Sequence, residues 1–100
     1  MSQFTICVKY TAKSGQREAF VRAVVTQGIL TKIRNEEGCL AYDYYFSAQE
    51  EDVVLLVEKW ASHEHQARHM RQPHMEELMN LKEQYVAETV VRKVELSDAI

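Results

Sequence analysis

The stretch from Val53 to Trp60 reads Val-Val-Leu-Leu-Val-Glu-Lys-Trp. In a strand, alternate side chains point to opposite faces. Val54, Leu56, Glu58 and Trp60 then share one face, and Val53, Leu55, Val57 and Lys59 the other. Both faces are largely apolar, so both must be covered. Any fold for this chain has to place this strand inside a sheet and supply a cover on each side.

The neighbouring segments say what the sheet is made of. Cys39 to Ser47 alternates, with Leu40, Tyr42, Tyr44 and Phe46 against Cys39, Ala41, Asp43 and Tyr45. A short acidic turn, Ala48 to Asp52, joins it to the Val53–Trp60 strand, and the pair reads as a hairpin. Phe4 to Tyr10 is a further alternating strand, with Phe4, Ile6, Val8 and Tyr10 on one side. Ser14 and Gly15 break it, and Ser14 is the expected N-cap of the helix that follows. From Gln16 the period becomes helical, with Phe20, Ala23, Val24, Leu30 and Ile33 in one stripe. Gly28 falls inside that helix, where a kink or a close packing contact is expected. Glu36 and Glu37 end the helix, and Gly38 is the expected left-handed residue beyond it.

Ser62 is the expected N-cap of a second helical segment, with Glu64 near its positive end. Pro73 interrupts this segment and fits the first turn of a further helix from His74 to about Tyr85. Met75, Leu78, Met79 and Leu81 are its apolar positions. Val86 to Leu96 is rich in β-formers and reads as the last strand, with Ser97 to Ile100 a frayed end. The order is strand, helix, strand, strand, broken helix, strand. This is the split βαβ, or ferredoxin-like, order of an α+β domain. Right-handed crossovers put both helical segments on one face of a four-stranded antiparallel sheet. The second face is expected to be covered by the sheet of another copy, giving a homodimer in the form of a dimeric α/β barrel. One hundred residues make a single domain, residues 1–100.

A net charge of −3 excludes the basic stripe that phosphate-backbone binding needs, so no nucleic-acid partner is expected. The apolar runs are far shorter than the ~18 residues of a membrane span, so no membrane partner is expected either. The N-terminal residues lack the pattern of a secretory signal, which points to the cytoplasm. Cys7 and Cys39 are the only cysteines, too few for a disulfide framework, and both are expected as buried, reduced, structural thiols.

Several residues carry chemistry. Glu58 is an acid within an apolar strand. It is either a paired core carboxylate or a group at a pocket wall whose burial raises its pKa and lets it take or hold a proton. Trp60, on the same face, is a core side chain or a flat wall for a planar ligand. His63, His65, His69 and His74 follow. His65 and His69 have the i, i+4 spacing that can serve a metal, but no third ligand lies nearby in sequence, and no metal is expected. His69 and His74 can point back over the sheet, where a histidine in an apolar pocket is a natural base near neutral pH. There is no glycine-rich phosphate loop, nucleophile elbow or Cys-x-x-Cys, so flavin, nicotinamide and zinc have no dedicated motif, and no cofactor is expected.

The run Glu37-Gly38-Cys39-Leu40 with Tyr42, then Glu58-x-Trp60, then His69 and His74 after a short helix, resembles the antibiotic biosynthesis monooxygenase domain family. The resemblance covers nearly the whole chain in order and spacing. It implies a dimeric α+β barrel and oxygenation of a small aromatic quinol or anthrone by dioxygen without metal, flavin or haem. It further implies His69 as the base, with His74 the alternative, Trp60 as a wall or stacking surface, and Glu58 orienting a histidine or holding a proton. Tyr44 would hydrogen-bond a substrate oxygen. Haem-degrading relatives share the strand tryptophan, but their haem-ligating histidine would fall near Met79, where none stands. Glu58, His69, Pro73 and His74 also resemble relatives that isomerise a phosphorylated hydroxyketone, with Arg68 or Arg71 as phosphate partners. Non-catalytic ligand-binding stress proteins use the fold as well.

Overall fold

The computed structural model describes residues 3–94. The last two residues assigned to the final strand, and the expected frayed end, lie outside them. The elements are β1 (Phe4–Ala12), α1 (Arg17–Thr26), α2 (Ile29–Arg34), β2 (Cys39–Phe46), β3 (Val53–Trp60), α3 (His63–His69), α4 (His74–Tyr85) and β4 (Val86–Val94). The four strands form one antiparallel sheet in the order β2-β3-β1-β4, with the helices on one face. This is the ferredoxin-like α+β architecture the sequence implied.

The apolar run β3 is an inner strand, paired with β1 on one edge and β2 on the other. The register places Ile6 opposite Glu58, Val8 opposite Leu56 and Tyr10 opposite Val54, and Tyr42 opposite Glu58 on the other side. These side chains make the helix-covered face. Phe20 and Val24 of α1, Ile29 and Ile33 of α2, and Leu78 and Leu81 of α4 pack on it. The opposite face carries Cys7, Lys9, Leu55 and Val57, all partly exposed, and no described element of the chain covers it. No helix of the described residues is long and apolar enough to cross a membrane.

Four local expectations are corrected. The helix expected to run through Gly28 is two helices, because Gly28 adopts φ +77° and restarts the chain. The restart shifts the apolar phase, so Ile29 rather than Leu30 is the fully buried residue. Ser14 does not cap α1; that position falls to Gln16, whose side chain makes no capping bond. Gly38 is not the residue beyond a helix end, since α2 closes at Arg34 with Asn35 as its C-cap. Met79 is exposed, on the solvent side of α4. Ser62 does cap α3, with its Oγ accepting from the His65 amide at 3.2 Å.

Gly38, at φ +83°, opens the turn into β2. A Cβ there would run into the His65 ring. The absence of a side chain lets the loop after α2 lie directly against α3, and the Gly38 carbonyl accepts from the Ala61 amide at 2.8 Å at the end of β3. This close approach sets up the polar cluster described next.

Candidate active site

Between the helix-covered sheet face and α3–α4 lies a cavity of about 150 Å³. A closed apolar cavity of about that size holds one benzene ring. Ile6, Val8, Met75 and Val91 supply apolar walls. The polar groups reaching it include Tyr10, Tyr42, Glu58, His69 and Lys82.

His69 is the last residue of α3 and is 1 % exposed. Its ring lies 4.6 Å, centroid to centroid, from Trp60 and 5.7 Å from Tyr42. Its Nδ1 is 2.9 Å from Glu36 Oε2. The same carboxylate oxygen is 2.7 Å from His74 Nε2. A carboxylate only accepts, so when both histidines are neutral each must donate, which places the His69 proton on Nδ1. Nε2 of His69 is then the ring's lone-pair nitrogen, and it makes no hydrogen bond among the described residues. Glu36 thus holds one histidine as a proton acceptor at the cavity and ties the second, at the start of α4, to the same anchor. The loop that Gly38 brings against α3 carries Glu36 into this position.

Glu58 projects from β3 beside the cavity and is 7 % exposed. Its Oε1 accepts from the Trp60 indole N–H at 3.0 Å. Burial raises its pKa, opposed by the Trp60 hydrogen bond and by the charges of His69 and Lys82. The carboxylate bonded to the histidines is therefore Glu36, and Glu58 fixes the tryptophan instead. Of the residues expected from sequence, Glu58 and His69 line the cavity. Trp60 is fully buried behind His69, and His74 joins the cluster through Glu36 without lining the cavity. Tyr44 shares the strand face but packs edge-on to Phe20, and its buried hydroxyl has no hydrogen-bond partner among the described residues. The β2 tyrosine at the cavity is Tyr42; burial pushes the pKa of its hydroxyl well up and keeps it protonated.

Arg68 is engaged at the surface by Glu64 at 2.8 Å and Glu37 at 3.2 Å, and Arg71 is exposed. His65 is held by Ser62 Oγ at 2.7 Å, and His63 stacks on Phe4 at 4.1 Å. No group of three metal-ligating side chains gathers among the described residues. Cys7 and Cys39 are free but only partly buried, not the buried thiols expected, because Cys7 lies on the uncovered sheet face and Cys39 at the start of edge strand β2; the Cys39 thiol is pushed up to about 11, chiefly by burial and then by the Glu36 and Glu58 charges.

Glu58 makes a pH prediction. Its folded pKa lies above the ordinary value of 4.5, so over that window the folded state holds more protons than the unfolded one. Stability from this group is present at low pH and is lost as pH rises above about 4.5 through the folded value. Glu58→Gln keeps an acceptor for Trp60 and removes the titration. Thermal unfolding between pH 4 and pH 8 should show a smaller decline for the variant than for the wild type; parallel curves would mean that Glu58 is not held at a raised pKa.

Two residues at the site escaped the sequence reading. Glu36 passed as a generic helix end, although two acids at the C-terminal end of a helix oppose its dipole and mark an anomaly. Lys82 follows Met75 and Leu78 at i+7 and i+4, so a charge stands in line with the buried stripe of α4.

The family model described as antibiotic biosynthesis monooxygenase matches residues 3–81. Similar solved structures include a protein of Pseudomonas aeruginosa, at 21% identity and TM-score 0.83, covering 97% of each chain. The Mycobacterium tuberculosis protein Rv0793 is 24% identical with TM-score 0.81, covering 99% of this chain and 100% of its own. A Bacteroides thetaiotaomicron protein, described as a possible oxidoreductase, is 26% identical with TM-score 0.78, covering 95% of this chain and 98% of its own. No curated protein matches the chain in sequence.

Proposed function

Because the chain belongs to the antibiotic biosynthesis monooxygenase family, we propose that it is a cofactor-independent monooxygenase acting on a small aromatic quinol. The observation that carries this reading is His69, set by Glu36 as a proton acceptor at the wall of an apolar cavity. Dioxygen reacts slowly with a neutral quinol and faster with its anion. Removing a phenolic proton is therefore the catalytic act the protein has to supply. Nε2 of His69 takes that proton, and the Glu36 carboxylate stabilises the imidazolium that results. The anion then reduces dioxygen. One oxygen atom enters the ring and the other leaves as water, with all four electrons coming from the quinol, so the product is a hydroxyquinone. The buried walls, Val8 and Met75 among them, shield the anion from water on the side of the core.

The volume of about 150 Å³ favours one ring over the three rings of an anthrone. Burial of His69 at the cavity favours catalysis over simple ligand storage. Arg68 is engaged by Glu37 and Glu64 away from the cavity, so it is not placed as a phosphate partner there. The open sheet face with Leu55 and Val57 is the surface on which a second copy would pack to form the homodimer.

Oxygen uptake by metal-free protein with one-ring quinols tests the reading. Uptake should exceed the spontaneous rate and saturate with quinol. Uptake at the spontaneous rate across a panel of such quinols would contradict it.

A further inference from the structure

Lys82 is a cation at the edge of an apolar cavity without an anion bonded to it. Its side chain crosses the Tyr10 ring, with Nζ 5.3 Å from the centroid. No carboxylate lies within 4.0 Å of it among the described residues, unlike Lys9 and Lys32, which reach Glu50 and Glu77. It stands in line with the buried residues Met75 and Leu78 of α4, where a leucine would serve packing better. Burial pushes its ammonium down, and the Glu58 charge only partly offsets this. Lys82 is partly buried in the last turn of α4, whose C-terminal end answers part of its charge and leaves the ammonium free to pair with an anion in the cavity.

The sheet register gives the cavity two ends. Ile6, Glu58 and Tyr42 lie in one row across β1, β3 and β2. Tyr10 and Thr89 lie in a second row, across β1 and β4. The rows are four residues apart along β1, or about 13 Å at ~3.3 Å per residue. His69 stands over Tyr42 in the first row, and Lys82 over Tyr10 in the second. Both ends border the cavity of about 150 Å³, a volume suited to one ring.

We infer that the cavity takes a one-ring quinol that bears a carboxylate, with a ring hydroxyl at the His69 end and the carboxylate paired to Lys82; 4-hydroxybenzoate is its stand-in that cannot form a quinone. The inference rests on the reading of this cavity as the substrate site and names the class of substrate. Lys82 supplies the charge-assisted bond that fixes which end of the ring meets His69. The apolar walls contribute affinity and little orientation.

The test is binding without dioxygen, using 4-hydroxybenzoate and its neutral analogue 4-hydroxybenzamide as probes, followed by NMR on the side chains of Ile6, Val8 and Met75. The acid should bind about 10–100-fold tighter than the amide, as expected for a hydrogen bond to a charged group. Lys82→Met keeps the apolar stem and should bring the acid-to-amide affinity ratio close to one. Lys82→Arg should keep most of it. Lys82→Gln repeats the loss of charge should Lys82→Met fail to fold. Equal binding of the two probes by the wild type, a preference that survives loss of the charge, or no binding of either probe in the cavity would overturn the inference. A clear acid preference without oxygen uptake would keep it and remove the oxygenase reading. Uptake with neutral one-ring quinols, together with equal binding of the acid and the amide by the wild type, would do the reverse.

Discussion

His69→Ala should lower oxygen uptake with a one-ring quinol by ~10²–10⁴-fold, the usual contribution of a positioned general base. The protein should remain folded, because the ring removed lies against Trp60 and Tyr42 and its loss leaves a modest cavity. Glu36→Gln is the more telling partner. It preserves the shape of the anchor but can present an amide N–H to His69, which reverses the tautomer and places the proton on Nε2. A loss of about 10–100-fold is expected, the range seen when a group supporting a functional histidine is removed. His74→Ala should cost less than about tenfold, because His74 reaches Glu36 and not the cavity. Equal losses in the two histidine variants would mean that the base has been assigned to the wrong ring.

The second large effect concerns assembly. Val57 stands at the centre of the sheet face that no described element covers, opposite Cys7 on β1 and Asp43 on β2. A two-fold dimer through this face would bring each substitution in twice. Val57→Asp would bury two carboxylates in an apolar layer, each costing several kcal/mol without a partner. In dilute solution the wild type should have twice the subunit mass of 11.7 kDa. The variant should fall to one subunit or fail to fold. A wild-type monomer at micromolar concentration would remove the barrel, and an unchanged dimer in the variant would place the interface elsewhere.

These predictions draw on parts of the molecule that differed in how far sequence revealed them. The alternation of Val53–Trp60 and its two apolar faces specified an inner strand, because period and burial are local properties of a strand. Glu58 and His69 stood out because an acid in an apolar strand and a histidine at the end of a short helix are unusual where they stand. The break at Gly28 could not be read with certainty, since a glycine inside a helical stripe fits a continuous helix as well as a restart. The role of Glu36 depended on a contact across 33 residues of chain. It also depended on Gly38 admitting the loop to α3, which no periodicity encodes. Tyr44 and Tyr42 were equivalent by alternation, and only the placement of Phe20 over one and His69 over the other separates them. Lys82 was legible in principle, as a charge in line with an apolar stripe.

Isotope labelling tests the central claim most directly. Metal-free protein is given a one-ring quinol under ¹⁸O-labelled dioxygen, beside the same reaction with His69→Ala. The account predicts a hydroxyquinone carrying one labelled oxygen atom, formed by the wild type and nearly absent with the variant. Oxidation to the plain quinone without label, or labelled product formed equally by both proteins, would contradict it.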